Sequence, residues 1–183
     1  MSEGLPWIRV LLDRQRAEWR CGDAVRDYRV STARNGAGEQ DGSFCTPRGW
    51  HVVRARIGAD APRGAVFRSR RPTGEICTPE AWASGGDRDW ILTRILWLCG
   101  REPGRNRFGA VDTMRRYIYF HGTPDGVTLG VPGSRGCIRM ANGDIIELFD
   151  RTPAGTPVWL GDASHAPEWP DQRLFPGFPE ARR

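Results

Sequence analysis

The sequence predicts a mainly β fold with one short helix and irregular Pro/Gly-rich insertions. Three observations predict it. Three short runs between Trp7 and Ser31 alternate apolar and polar residues, the pattern of half-buried strands. Later apolar runs are rich in β-branched and aromatic residues, which favour pleated surfaces. The 142–151 segment, in contrast, spaces its apolar residues as a helix does. With 183 residues, the chain suits one domain plus a tail. We expect a domain over residues 1–160 and a Pro-rich tail over 161–183.

Trp7–Leu12, Ala17–Cys21 and Ala24–Ser31 are short alternating runs split by Asp13-Arg14-Gln15-Arg16 and Gly22-Asp23. They read as a three-strand antiparallel meander. Residues 35–43 are Gly-rich and form a loop, Thr46-Pro47-Arg48-Gly49 is a turn, and Trp50–Ile57 follows as a strand. Residues 58–86 hold several prolines and glycines and are expected to be irregular, with short strand pieces near Val66 and Ile76. Asp89–Leu98 fits strand or buried helix by pattern, and its β-branched and aromatic content favours strand. Residues 100–113 are a polar loop, and Arg115–His121 (RRYIYFH) reads as a strand. Asn142–Arg151 reads as a helix, with Asn142 the N-cap candidate and Asp144 and Glu147 toward its N-terminal half. Pro153 and Gly155 stop it, and Pro157–Leu160 returns to strand. The last 23 positions contain Trp169, Phe175 and Phe178 among prolines, a tail expected to drape over the body.

Composition removes several chemistries. All 27 basic residues are arginine, so Schiff-base and phosphate-loop lysine chemistry is excluded. The net charge is +5, yet the arginines are scattered and the densest group, Arg68, Arg70 and Arg71, lies in a Pro/Gly-flanked loop. A nucleic-acid surface wants clustered basic residues interleaved with aromatics, so an anionic small substrate is the better use of this charge. No apolar run approaches the roughly 18–20 residues that cross a bilayer. Five cysteines at wide spacing, with no C-x-x-C pair, disfavour a zinc ribbon or a redox motif. No metal-ligand spacing appears, and no cofactor is expected.

The chemistry concentrates in His121-Gly122-Thr123 and Ser134-Arg135-Gly136-Cys137-Ile138-Arg139-Met140. A cysteine nucleophile needs a base and preorganised amides for the oxyanion. Gly136 leaves the approach to the Cys137 sulfur open, and His121 ends an apolar strand from which an imidazole can reach across a loop. A buried thiol beside an unrelated histidine is the alternative at this point. His51 and His165 read as structural or solvent-facing, and Cys45 as a packed thiol.

The segment from His121 to Leu160 resembles the signature of the L,D-transpeptidase catalytic-domain (YkuD-like) family: His-Gly, a loop, Ser-His-Gly-Cys-Ile-Arg-Leu/Met, an Asn-x-Asp helix and Gly-Thr-Pro-Val. The N-terminal meander and the Thr46-Pro47-x-Gly49 turn fit the start of that family more loosely. The resemblance implies a β-sandwich and a covalent mechanism on peptidoglycan stem tetrapeptides, or muropeptides, with expulsion of the terminal D-alanine. Carried over, Cys137 is the nucleophile, His121 the base, the Gly122 carbonyl the group that orients the imidazole, and the Gly136 and Cys137 amides the oxyanion site. Ser134, Arg135 and Arg139 take substrate-binding or loop-bracing positions. One departure stands out: the motif's Ser-His-Gly-Cys is Ser-Arg-Gly-Cys here, and the planar fork of Arg135 suits a substrate carboxylate.

The motif leaves the fate of the acyl group open. An amine acceptor gives a crosslink, whereas water gives an L,D-carboxypeptidase trimming recycled muropeptides. A non-catalytic muropeptide-binding module is the rival from another class. The resemblance implies the cell envelope, while an N-terminus without signal-peptide order suits the cytoplasm. Oligomeric state is not legible.

Overall fold

The structure of the protein, a computed structural model, describes residues 4–178. Alternation builds the first hairpins as expected: β1 (Trp7–Leu11), β2 (Arg16–Cys21) and β3 (Ala24–Ser31) form an antiparallel meander. β4 (Gly49–Ile57) follows a loop, and β5 (Ala65–Arg68) and β6 (Arg71–Ile76) make a hairpin. β7 (Ile91–Gly100), β8 (Tyr119–Gly122), β9 (Ile138–Met140) and β10 (Pro157–Gly161) complete the strands. The helices are α1 (Pro79–Ser84) and α2 (Asn142–Arg151).

The strands join in the order β4-β10-β1-β2-β3-β9-β8-β7, and β7 pairs back onto β4. Those eight strands therefore close into a barrel-like, sandwich-like ring, which leaves β6 of the outlying hairpin as the free edge. The first part of β7 (Ile91, Leu92) pairs with β5, and the rest (Ile95–Gly100) with β4. The β5–β6 hairpin thus hangs from the same edge of β7 that closes the ring. Inside lie Ile8, Val10, Val30, Leu96, Phe120, Ile138, Met140, Val158 and Leu160, and α2 inserts Ile145, Leu148 and Phe149 among them. Full burial of each large side chain is worth about 1.5–3 kcal/mol, so this inner layer is what holds the ring shut.

A second apolar layer lies outside the ring. Trp7, Leu11, Trp50 and Trp159 pack with Phe175 and Phe178, and the Trp50 and Phe175 rings meet edge-on at 5.5 Å. Period-two strands present alternate residues to opposite faces, so β1 points Ile8 and Val10 inward and Trp7 and Leu11 outward. Residues 179–183 of the expected tail lie outside the described residues. Among the described residues no helix is long and apolar enough to cross a membrane.

The structure departs from the sequence reading in four places. Arg115–His121 is strand only from Tyr119. Before it, the Asp112 carboxylate accepts the Arg115 N–H (3.0 Å) and closes a turn in which Tyr117 has φ +56°. Residues 79–84 are helical rather than irregular, because Thr78 accepts the Ala81 N–H (3.2 Å) and Pro79 opens the first turn. Asn142 is the first residue of α2 and not its cap; its side chain is drawn away to Thr93 and Thr123, and Ala141 stands at the cap. The three-residue β9 was too short to show as a period.

His51, on β4, is fully buried, with Nδ1 3.0 Å from the Gly49 carbonyl and Nε2 3.0 Å from the Thr113 hydroxyl. Burial pushes its pKa down to about 3. The unfolded chain takes up this proton near pH 6.5, whereas the folded chain resists it to about pH 3, so this stability is present above pH 6.5 and lost as pH falls between the two. The slope is about 1.4 kcal/mol per pH unit for one proton. His51→Gln keeps a donor and an acceptor there. It is expected to flatten the pH dependence of chemical denaturation between pH 6 and 4 by up to one proton's slope.

Candidate active site

The site grows from two parallel strands. In the β8–β9 pair, Phe120 lies opposite Ile138 and His121 opposite Arg139. Phe120, Ile138 and Met140 point into the core. The alternate residues therefore share the outer face, so Tyr119, His121, Cys137 and Arg139 face a common cleft of about 480 Å³. Its other walls come from the 41–44 loop, the β5–β6 hairpin tip (Ser69, Arg70), Asp89 and Ile91 before and at the start of β7, and Arg116 with Tyr117.

The Cys137 sulfur is half-buried. It receives the Tyr119 N–H at 3.4 Å and lies 3.3 Å from the Tyr117 carbonyl. Burial pushes the thiol up to about 12; the Tyr119 N–H and the charges of Arg139 and Arg116 pull the other way, and Asp89 adds to the rise. His121 is buried, and its Nδ1 sits 2.7 Å from the Gly122 carbonyl. A carbonyl only accepts, so Nδ1 carries the proton and Nε2 carries the lone pair. Burial holds this imidazole below the ordinary histidine range, against the opposing pull of Asp89 and the Gly122 carbonyl. At neutral pH the pair rests as thiol and neutral imidazole.

The loop before Cys137 is internally braced. The Ser134 hydroxyl donates to the Cys137 carbonyl (2.6 Å) and accepts the Gly136 N–H (3.1 Å). The Gly136 carbonyl accepts the Thr46 hydroxyl (2.9 Å). The Gly136 amide, expected at the oxyanion site, is therefore engaged by Ser134, and the Ser134 hydroxyl serves the loop. Gly136 itself has φ +129°, and a Cβ there would lie 2.9 Å from Ile118 Cδ1 and 3.2 Å from the Cys45 carbonyl. Such strain costs about 1–3 kcal/mol. Gly136→Ala is expected to lower unfolding free energy by that amount in chemical denaturation. It should also slow iodoacetamide labelling of Cys137 as the loop shifts.

Arg135 and Arg139 are already paired. Arg135 meets the exposed Asp87 at 2.9 Å, and Arg139 meets Asp89 at 3.1 Å while also donating to the Gly133 carbonyl. Together with Phe44 and Ser134, Arg135, Arg139 and Asp89 also border a second cleft of about 410 Å³ on the far side, walled by Trp82 and Trp90. Arg116 donates to the carbonyls of Gly38, Glu39 and Cys45 and to the Ser43 hydroxyl, at 2.7 to 3.3 Å. It ties the 38–45 loop to the cleft with neutral acceptors only. Among the described residues no three His, Cys, Asp or Glu side chains converge into a metal-binding set.

Sequence reasoning missed the floor of the site. Asn142 donates to the Thr123 carbonyl (2.9 Å) and Asp125 (3.0 Å) and accepts the Thr93 hydroxyl (2.5 Å). Thr93 sits at φ +72° in a bulge of β7, and its oxygen also accepts the Gly64 N–H. This network packs so tightly against Gly122 that a Cβ there would fall 2.4 Å from Asn142 Oδ1. The Gly122 carbonyl that holds the imidazole is thereby fixed. The Asn-x-Asp spacing pointed to Asn142 only as a helix signal.

The family model of the L,D-transpeptidase catalytic domain, YkuD, matches residues 6–160. The chain belongs to this family. Members of the L,D-transpeptidase family are enzymes, and the peptidoglycan-related function of the family follows the name. Over 62 residues the domain is 42% identical to YkuD of Bacillus subtilis (strain 168), a stretch covering 33% of this chain and 37% of that protein. The L,D-transpeptidase domain also resembles the solved L,D-transpeptidase of Xylanimonas cellulosilytica DSM 15894, with a TM-score of 0.54 at 20% identity, covering 87% of this chain and 62% of that one. L,D-transpeptidase 3 of Mycobacterium tuberculosis gives a TM-score of 0.55 at 13% identity, over 87% and 62% of the two chains. At such identities the structural likeness establishes the fold. The chain thus spans less than two thirds of each of these relatives.

Proposed function

We propose that this L,D-transpeptidase domain is a cysteine acyltransferase acting on peptidoglycan stem tetrapeptides, with Cys137 as nucleophile and His121 as base. The observation that carries the reading is the His121 Nδ1–Gly122 carbonyl bond of 2.7 Å, which leaves Nε2 basic on a cleft the Cys137 sulfur also lines. The sulfur attacks the carbonyl that joins the diamino acid to the terminal D-alanine as its proton passes to Nε2. The S–C bond forms, the C–N bond breaks, and His121 returns the proton to the departing amine. D-Alanine leaves and a thioester remains on Cys137. A thiol at about 12 beside a neutral imidazole favours this concerted transfer over a standing ion pair. The cationic Arg139 and Arg116 favour the sulfur's charge as it develops.

With the Gly136 amide engaged by Ser134, the oxyanion falls to the Cys137 amide and to the Tyr119 N–H, which already points at the sulfur. Ser134 acts as a brace, while Arg135 and Arg139 bind substrate by exchanging Asp87 and Asp89 for its carboxylates. The 6–160 domain carries the chemistry, and residues 161–178 cover the Trp7–Trp50–Trp159 face. Incubation with a disaccharide-tetrapeptide, with and without an amine acceptor, followed by mass analysis tests the reading. Loss of D-alanine with a crosslinked product marks a transpeptidase, and a free tripeptide marks a carboxypeptidase. Binding with no D-alanine release in either arm would leave a muropeptide-binding module and overturn the proposal.

A further inference from the structure

We infer that Arg70, at the tip of the β5–β6 hairpin, recognises a free carboxylate of the peptide substrate and makes the enzyme prefer the acid over its primary amide. The inference rests on the acyl-transfer reading for the location of the peptide.

The hairpin tip is built at a cost. Arg68 pairs with Arg71, so Ser69 and Arg70 are the two turn residues, at φ +48° and +65°. Turns with both central residues at positive φ favour Asn-Gly or Gly-Gly, and an arginine there is strained. What the strain achieves is placement. The Arg70 guanidinium lies 4.8 Å from the Trp97 ring and 4.6 Å from the Tyr117 ring, and it donates to the Tyr119 hydroxyl at 3.2 Å. These contacts fix the plane of the fork without neutralising its charge.

Arg70 also differs from the other three guanidiniums of the cleft. Arg135 and Arg139 hold Asp87 and Asp89, and Arg116 is spent on carbonyls and a hydroxyl. Among the described residues no carboxylate forms an ion pair with Arg70; the groups acting on it are Tyr119 and Tyr117. Tyr119 supplies the ruler. Its backbone N–H contacts the Cys137 sulfur and its hydroxyl holds Arg70, so a single tyrosine separates the reacting atom from the charge. A carboxylate on the side chain of the acylated residue spans that gap.

The test uses a tripeptide that ends at the acylated residue, and so cannot lose D-alanine. Its side-chain carboxylate is left free or converted to the primary amide. Titration calorimetry against the wild type should show the acid binding about 10-fold tighter or more, since a hydrogen bond to a charged group is worth about 10- to 150-fold. Raising salt should narrow that ratio. In Arg70→Met the ratio should fall to near one with the amide's affinity little changed, and Arg70→Lys should restore part of it. A hairpin staple alone predicts that both peptides weaken together. That result, a ratio near one in the wild type, no binding of either peptide, or a ratio that survives Arg70→Met would overturn the inference. D-Alanine release from the matching tetrapeptide by the wild type reads the acyl-transfer step separately, so acid selectivity without release would sink that reading and leave Arg70's role standing.

Discussion

Cys137→Ala is expected to reduce D-alanine release from a tetrapeptide to background while the protein stays folded. Loss of a covalent nucleophile removes on the order of 10⁶-fold in rate where it has been dissected, and among the described residues no other thiol lines the cleft. The fold should tolerate the change because the sulfur's hydrogen bonds, to the Tyr119 N–H and the Tyr117 carbonyl, are weak and alanine keeps an apolar group against the Ala65–Phe67–Ile95–Tyr119 cluster. Cys45→Ala is the control. Cys45 lies beside the same loop, but what it contributes is its backbone carbonyl, which accepts from Arg116 at 2.7 Å. Activity within a few-fold of wild type is expected there, with circular dichroism and a denaturation curve confirming both folds. D-Alanine release persisting in Cys137→Ala would place the nucleophile elsewhere.

His121→Gln should cost about 10²–10⁴-fold in kcat/KM, the usual worth of a general base. The glutamine amide retains a donor for the Gly122 carbonyl, so the loss reports basicity more than geometry. The pH profile separates the two further. Since burial lowers the His121 pKa, the neutral base persists into mild acid, and wild-type activity should fall only below about pH 6.5, the ordinary histidine value. The thiol at about 12 sets no limb in the neutral range. The acid limb should vanish in His121→Gln, and iodoacetamide labelling of Cys137 near neutral pH should slow, because the imidazole no longer takes the thiol proton. An unchanged acid limb in the variant would assign that limb to another group.

The strands of the ring were legible wherever one face is buried and the other is not, as in β2, where Ala17, Trp19 and Cys21 alternate with half-exposed neighbours. The α2 helix was legible from its spacing, and the Cys/His constellation from a dense motif. What sequence could not show depends on contacts between distant segments. Closure of the ring by β4 on β7 is one such pairing. The cradle of Arg70 needs Trp97 from β7 and Tyr117 and Tyr119 from the turn and strand that follow it, and the arginine itself read only as part of a basic loop. Gly136 read as an open approach to sulfur, whereas its amide is held by Ser134. Arg115–His121 failed as a strand because its first N–H groups are taken by a turn, Arg115 donating to the Asp112 carboxylate and Arg116 to the Asp112 backbone carbonyl.

The central claim is a covalent thioester on one sulfur, and intact-protein mass spectrometry tests it most directly. Wild-type protein mixed with a tetrapeptide and quenched in acid within the first turnovers should carry one added acyl group, equal to the peptide less D-alanine. Peptide mapping should place it on Cys137, and Cys137→Ala should carry none. An adduct on Cys45, or D-alanine released with the protein mass unchanged at every quench time and no dependence on Cys137, would contradict the account.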